Sequence, residues 1–600
     1  MSDYDEIALA QARVKLTSLA GVTVLEEWQR VSNSATWMLR LRLELLGAEP
    51  TAAVPPTTEW ELVADFAQDL WGKITVHPAL GEQGLAATFH HQMFNGSQHA
   101  QLPCRNGHIC TSSWLGNLAK SRNAVQLEPP TTIERLCWHV ARALQWLTAA
   151  ARGELIQDGD AFELPDFGIE QQQVSATLIY QEDEDSFAHW QQESSRSGLA
   201  WVVPIQARRG YVVTKFLDAK GTQLVHAPKW GKVLSGLNPP QQALWVRLDK
   251  MPVVHGWQAP ATMQELTQAL AAQGLDLQEL LAPLWKRLQL SPEVLLLLGA
   301  PMPKKVGEAP YRYHWQALQL APPVAKGSDK SRIALLRQHL LAPHNLRWVK
   351  QAENWHAEEL QSRGRLPQRL CDARILLLGA GALGSVLAEQ LVRMGVRHMT
   401  VVDGQVLEGG NLVRHVLGLN HLFDSKALRL ADHLNLVNPL AQIVGLPLGL
   451  PTTNAEFEKA AAKATLIIDA TGEDNVLRMV PMPSMQAHAL FVSCSLSLYA
   501  QQLFFYAERV GAFEKVQFDR WFEPYRIEQH ELAQQIELPR GAGCWHPLTP
   551  APLNRIAGLA GVAVDLLQQV SEESVALPTA VSYDWQVPTL ALTVKAAMAL

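Results

Sequence analysis

Ile375-Leu376-Leu377-Leu378-Gly379-Ala380-Gly381-Ala382-Leu383-Gly384-Ser385 decides the fold of the C-terminal part of this chain. Four aliphatic residues in a row read as a strand buried on both faces. The G-x-G-x-x-G that follows lets the backbone turn tightly and approach a phosphate closely. A helix from Ser385 to Met394 would turn its N-terminus toward that negative charge. A second strand, His398 to Val402, ends in Asp403, where an acid commonly holds ribose hydroxyls. Strand, loop, helix, strand and acid in this order predict a nucleotide site contacted by Gly379, Gly381, Gly384 and Asp403. From residue 373 onward strands and helices alternate, which predicts a parallel α/β sheet.

Taken alone, the loop suggests an NAD enzyme; the residues after it point elsewhere. Asp403-Gly404-Gln405-Val406-Leu407-Glu408-Gly409-Gly410-Asn411-Leu412-Val413-Arg414-His415 resembles the D-x-D-x-V-x-x-S-N-L-x-R-Q signature of the ThiF/MoeB and ubiquitin-activating enzyme superfamily. The first acid, Asn411-Leu412 and Arg414 fall in register, whereas Gln405, Gly410 and His415 depart from it. Lys426 stands where that superfamily opens a helix with lysine, and Leu466-Ile467-Ile468-Asp469-Ala470-Thr471 resembles its hhhDAT strand end. The resemblance covers about 366 to 600. It implies attack of a carboxylate on the α-phosphate of ATP, with Arg414 and Lys426 neutralising phosphate charge, Asn411 orienting the phosphates and a carboxylate holding Mg²⁺. The superfamily reads D-x-T-D-N where this chain reads Asp469-Ala470-Thr471-Gly472-Glu473-Asp474-Asn475. Without a gap Gly472 takes the metal aspartate's place; with a two-residue insertion Asp474 restores it, and Asp474 is the metal candidate.

Two cysteines have a setting suited to carrying an acyl group as a thioester, which splits one hard transfer into two. Cys544, in Arg540-Gly541-Ala542-Gly543-Cys544-Trp545-His546-Pro547, precedes a helical run from Leu553 to Val570 and is similar to the GCxxP thioester cysteine of autophagy-type and bacterial ubiquitin-activating-like enzymes. A cysteine before a helix N-terminus is a candidate for a lowered thiol pKa. Cys110, in Asn106-Gly107-His108-Ile109-Cys110 with Trp114 beyond, resembles the cysteine of a ubiquitin-conjugating fold, and Gly153-Glu154-Leu155 followed by Phe162-Glu163-Leu164-Pro165 is similar to the ending of the prokaryotic members. That resemblance offers Asn106 or His108 for acyl stabilisation. Cys494, Cys371 and Cys137 read as structural. Cys104, His108 and Cys110 have no fourth partner at a usual zinc spacing.

Working outward, 600 residues exceed one core and predict two to four domains at roughly 150 residues each. Sixteen of the 19 tryptophans precede residue 366, so the two parts should differ in fold. Breaks near 168 to 188 and between 322 and 370, the latter with two helix-like stretches inside it, divide the chain into 1–168, 169–365 and 366–600. In the first part Asp3 to Leu46 reads as mostly helical, Ile74 to Cys110 as short strands and loops, and Thr132 to Ala151 as an amphipathic helix. In the second, strand-like runs at 200–205, 210–216 and 243–248 precede a helical region from 262 to 290, and Glu182-Asp183-Glu184-Asp185 reads as a solvated loop. We expect an α/β and α+β multidomain chain: an α+β ubiquitin-conjugating-like domain, a middle linker domain without readable chemistry, and a Rossmann-like ThiF adenylation domain.

Hydrophobic residues are 48% and charged residues 18%, a core-forming composition. The net charge of -7 argues against a dedicated nucleic-acid binder. No apolar run reaches the roughly 20 residues that span a bilayer, so no membrane partner is expected. The acidic start lacks the order of a signal peptide, and six cysteines in 600 residues make no disulfide framework, so a cytoplasmic chain is expected. The fused order resembles the ubiquitin-transferase-like proteins of bacterial CBASS antiphage operons. That family implies adenylation of the C-terminus of a cGAS/DncV-like nucleotidyltransferase with ATP and Mg²⁺. Thioesters on Cys544 and then Cys110 follow, with transfer to a target lysine, by a homodimer. The alternatives are the same chemistry on a bacterial ubiquitin-like protein, an NAD(P)-dependent oxidoreductase, and a non-catalytic scaffold.

Overall fold

The computed structural model describes residues 3–67, 73–111, 129, 131–167, 174–288, 294–320, 329–536, 550–586 and 591–599. Contacts divide the chain into two compact units, Met1–Pro228 with Pro239–Trp355, and Lys229–Asn238 with His356–Leu600.

The first unit holds two sheets among its described residues. One is antiparallel, in the order Val22–Val24, Thr36–Glu44, Thr57–Asp65, Lys73–Pro78, with Gln29–Arg30 beside Thr36–Glu44. The helix expected over 3–46 is confined to Asp3–Thr17. In Thr36–Glu44 the apolar period is two: Leu39, Leu41 and Leu43 are buried, while Arg40 and Arg42 alternate with them and face Glu61 and Glu59 across the strand pair. A period of two cannot make one face of a helix. The helix expected over 132–151 forms as Thr132–Arg152, with the Thr131 side chain accepting from Glu134 N–H and Gly153 closing it at φ 69°. Its Leu136, Val140, Ala143 and Leu147 share a core with Leu9, Ala12 and Leu16 and with the three buried leucines of the strand.

The second sheet closes on itself. Its order is Val174–Tyr180, Arg347–Asn354, Pro310–Leu320, Val294–Pro303, Gln241–Arg247, Ser197–Ile205, Gly210–Leu217, Leu224–His226, and Val174–Tyr180 also pairs in parallel with Gly210–Leu217. The interval 322 to 370, where two helix-like stretches are expected, holds the helices Asp329–Leu341 and Ala357–Leu360 and, between them, Arg347–Asn354 as a strand of this sheet. The acidic run is also corrected. Asp183 caps the helix Glu184–Gln192, and Glu182 is 1% exposed. The Glu182 carboxylate accepts the indole N–H of Trp190 at 2.9 Å and of Trp315 at 2.7 Å, and the Ser186 hydroxyl at 2.5 Å. Three donors fixed by the aromatic core explain why this acid is inside.

In the second unit the sheet order is Gln442–Leu446, His398–Val402, Arg374–Leu378, Leu466–Asp469, Leu490–Leu496, Gln502–Arg509, Thr579–Gln586, Ala591–Ala599. The first five strands are parallel and the rest antiparallel. The aliphatic run serves both faces. Ile375 and Leu377 pack with helices Ala382–Arg393 and Leu553–Ser571, whereas Leu376 and Leu378 pack with Phe457 and Trp521. That is why the run carries no polar alternation. No helix among the described residues is long and apolar enough to cross a membrane.

Burial pushes the Glu182 carboxyl up from 4.5 to about 7, against the pull of its three donors. The folded chain therefore holds a proton that the unfolded chain releases above pH 4.5, and this contribution, on the order of 3 kcal/mol, is lost as pH rises to about 7. Denaturant unfolding of the full chain should show first-unit stability falling over that interval, and Glu182→Gln should flatten the fall. An unchanged slope in Glu182→Gln would refute the assignment.

Candidate active site

The switch point of the second unit's sheet lies beside Arg374–Leu378: the next strand in the chain, His398–Val402, pairs on one side of it, and Leu466–Asp469, which follows Gln442–Leu446, pairs on the other. Leu378 is level with Val402 on one side and Asp469 on the other, so loops 379–384, 403–411 and 470–474 leave the same edge. The three glycines have different reasons to be there. Gly379 has φ +92°, and a Cβ would meet the Thr471 methyl at 2.9 Å. A Cβ on Gly384 would lie 2.0 Å from the Gly379 carbonyl oxygen. A Cβ on Gly381 meets nothing within 4 Å. Gly381 caps the helix Ala382–Arg393 without a side-chain hydrogen bond, so the helix N-terminus opens on that space.

Hydrogen bonds gather the expected residues round this loop. Asp403 Oδ2 accepts Ala380 N–H at 2.8 Å and Oδ1 accepts Gln405 N–H at 2.7 Å. Asp403 therefore braces the glycine loop, and each oxygen keeps a further lone pair to accept with. Gln405 Oε1 in turn accepts from Lys426 Nζ at 2.8 Å. Lys426 is 4% exposed and begins the helix Lys426–Val437, which Ser425 caps. The electropositive end of a helix disfavours a buried ammonium. Among the described residues its ammonium has Gln405 as a hydrogen-bond partner and no carboxylate in an ion pair. His415 was legible only as a departure from a signature. Its Nδ1 accepts Leu417 N–H at 3.0 Å and its Nε2–H donates to the Ala380 carbonyl at 2.8 Å, while burial lowers its pKa. It is a neutral clamp on the loop.

Asn411 ends a short helical turn, its Oδ1 accepting Glu408 N–H at 2.9 Å, which leaves its amide N–H groups to donate. Arg414 is half-buried and its backbone N–H bonds the Asn411 carbonyl at 3.0 Å. Asp469 is buried and held by Thr471 and Ser493, and burial raises its pKa. Gly472 has φ +69° and faces open space. Asp474 begins the turn Asp474–Leu477, is half-exposed, and has Arg526 at 3.6 Å. Among the described residues no group of three or more histidines, cysteines or acids gathers as a metal site.

Burial sorts the cysteines. Cys104, Cys137, Cys371 and Cys494 are buried, and burial raises every one of these thiols, Cys104 to about 12. Cys110 is exposed. Cys544 lies outside the described residues. Cys110 opens on a cavity of about 370 Å³ shared with His91, Met93, His108, His139 and Glu163. Of the two acyl-stabilising candidates, His108 lines this cavity, whereas the Asn106 amide donates to Ser97 Oγ at 2.8 Å and lines the adjoining one. Sequence reading missed His91 and Glu163; the Phe162-Glu163-Leu164-Pro165 motif was its only trace.

This fold and loop define a ThiF-type adenylating domain joined to further domains. The ThiF family model matches residues 356–505, and the Cap2 central linker domain matches 153–359. The ATP-dependent ubiquitin transferase-like protein Cap2 of Enterobacter hormaechei subsp. hoffmannii (strain UCI 50) is 30% identical over 558 residues, 90% of each chain. The chain belongs to this Cap2 family of ATP-dependent ubiquitin transferase-like proteins. Mouse adenylyltransferase and sulfurtransferase MOCS3 is 36% identical over 132 residues, 22% of this chain and 25% of that one. A crystal structure of E. coli MccB with ATP matches at 12% identity and a TM-score of 0.27, covering 38% of this chain and 64% of that one. The Cap2 relative and the ThiF family match make this chain an ATP-dependent adenylating enzyme, and the oxidoreductase reading falls away.

The glycines separate structure from binding. Gly384→Ala should lower the melting temperature by several degrees, since its methyl strikes a backbone oxygen. Gly381→Ala should leave melting unchanged yet weaken ATP binding about tenfold or more, read by calorimetry. Equal ATP affinity in Gly381→Ala and wild type would show that the open space at Gly381 does not receive the nucleotide.

Proposed function

We propose that the chain adenylates the C-terminal carboxylate of a partner protein and passes the acyl group along two of its own cysteines to an amine. The observation that carries this reading is Lys426, buried at a helix start with no carboxylate paired to it among the described residues, beside a glycine loop open at Gly381. The α-, β- and γ-phosphates of ATP are the anions that suit it. The carboxylate oxygen attacks the α-phosphorus, the bond to the β-phosphate oxygen breaks, and pyrophosphate leaves. Lys426 and Arg414 offset the charge that builds on the phosphates, the Asn411 amide orients them, and Gly379, Gly381 and Gly384 let the backbone approach. Asp403 holds the loop and the ribose.

Asp474 is the proposed Mg²⁺ ligand. Its half-exposed carboxylate suits an ion that keeps several waters and takes one or two carboxylates plus phosphate oxygens. When bound, Mg²⁺ would neutralise the departing pyrophosphate.

The Cys544 thiolate then attacks the acyl carbon, AMP leaves and a thioester forms. Cys110 takes the acyl group by thioester exchange, and a lysine on a target protein receives it as an amide. Cys110 suits that last role because it is exposed beside a cavity while the other described cysteines are buried. The proposed acyl donor is a cGAS/DncV-like nucleotidyltransferase, in a cytoplasmic antiphage system, with a homodimer as the working form, as the resemblance to the CBASS ubiquitin-transferase-like proteins implies. The 1–168, 169–365 and 366–600 segments then act as conjugating, linking and activating domains.

Incubation with Mg-ATP and the proteins encoded beside the gene, run on a non-reducing gel, tests the relay. A thiol-sensitive adduct should form in wild type, vanish in Cys544→Ala, and stall on Cys544 in Cys110→Ala. Its mass names the donor. An adduct that survives Cys544→Ala would contradict the order of the relay.

A further inference from the structure

The neighbourhood of Cys110 holds a second chemical group that the relay leaves unused. Gln92 and Ile109 form an antiparallel bridge, and both are buried. The flanking residues 91 and 110 therefore stand opposite one another on the other face. Cys110 N–H donates to the His91 carbonyl at 2.7 Å, and both side chains are exposed to the same cavity. His91 sits at φ 57°, a conformation that a residue with a Cβ holds only when its surroundings impose it.

Those surroundings are specific. Both Glu163 carboxylate oxygens accept His91 N–H, at 2.9 and 3.0 Å, and Oε2 lies 3.4 Å from His91 Nδ1. Asp166 accepts Phe94 N–H at 3.0 Å, and the His90 ring stacks on Trp257 at 4.3 Å. Gln92 bonds Phe89 N–H and the Gly107 carbonyl. The segment that carries Glu163 and Asp166 thus fixes the loop that presents His91 to Cys110. With its Nδ1 edge turned to Glu163, His91 keeps Nε2 as the proton-accepting nitrogen. The other titratable groups facing it are Cys110, His108 and His139 around the cavity and His90 beside it.

We infer that His91 is the proton acceptor for aminolysis at Cys110 and that Glu163 is its positioning residue. The amine nitrogen attacks the thioester carbonyl, the carbon–nitrogen bond forms and the carbon–sulfur bond breaks. The nitrogen's proton passes to His91 Nε2, and Cys110 leaves as thiolate. This rests on the reading of Cys110 as an acyl carrier, but it is testable without ATP or the natural donor.

In a full-length Cys544→Ala background, Cys110 is acetylated with S-phenyl thioacetate and its discharge to free lysine is followed by mass. His91→Ala should slow discharge on the order of 100-fold, the lower range for a positioned base. Added imidazole should restore the rate in His91→Ala beyond any effect it has on His91 itself. Glu163→Gln should slow discharge about tenfold alone and not at all on top of His91→Ala, because it acts through His91. His91 is exposed, so its truncation leaves the fold intact. Discharge from His91→Ala at the wild-type rate, or a loss that imidazole fails to rescue, overturns the proposal. Loss of the ATP-driven adduct with His91-dependent discharge intact overturns the relay and leaves His91's role standing.

Discussion

The carboxylate of Asp403 is the constraint on which the second unit's chemistry hangs. It takes Ala380 N–H with one oxygen and Gln405 N–H with the other, and so ties the glycine loop to the strand beside it. Gln405 then holds Lys426, and His415 clamps Ala380 from the carbonyl side. Five residues from three chain segments are set by hydrogen bonds that need no ligand. A loop fixed in advance loses little freedom when a phosphate arrives, which is how preorganised donors gain strength in a site that excludes water.

Burial performs a comparable selection among the cysteines. Four described thiols sit in apolar surroundings that disfavour the thiolate, while Cys110 opens on a cavity. The same physics works in reverse at Glu182, where two indole N–H groups and a hydroxyl make a buried acid acceptable in the closed sheet. In both places a residue type common on surfaces or in cores is given its role by the donors around it.

The nucleotide half was legible because its signal is local. The aliphatic strand, the glycine spacing, Asp403 and Lys426 all lie within about fifty residues, and each step is a rule of backbone geometry. The closed sheet was not legible. Its closure depends on Val174–Tyr180 meeting Gly210–Leu217 and Arg347–Asn354, the last pairing about 175 residues apart in sequence, and no local pattern records such a contact. Glu182 was misread for the same reason, since its partner Trp315 is 133 residues away. Thr36–Glu44 was a different error: its alternation of leucine and arginine was present and was overrun by the helical start before it. His91 and Glu163, 72 residues apart, meet only in the fold.

If a protein carboxylate is activated at the loop that Asp403 holds, radiolabelled pyrophosphate exchanges into ATP, because exchange reports reversible adenylation before any thioester forms. Exchange should require a partner protein with an unblocked C-terminus, persist in Cys544→Ala with Cys110→Ala, and fall at least tenfold in Lys426→Ala. Exchange that proceeds equally without a partner, or at full rate in Lys426→Ala, would contradict that activation.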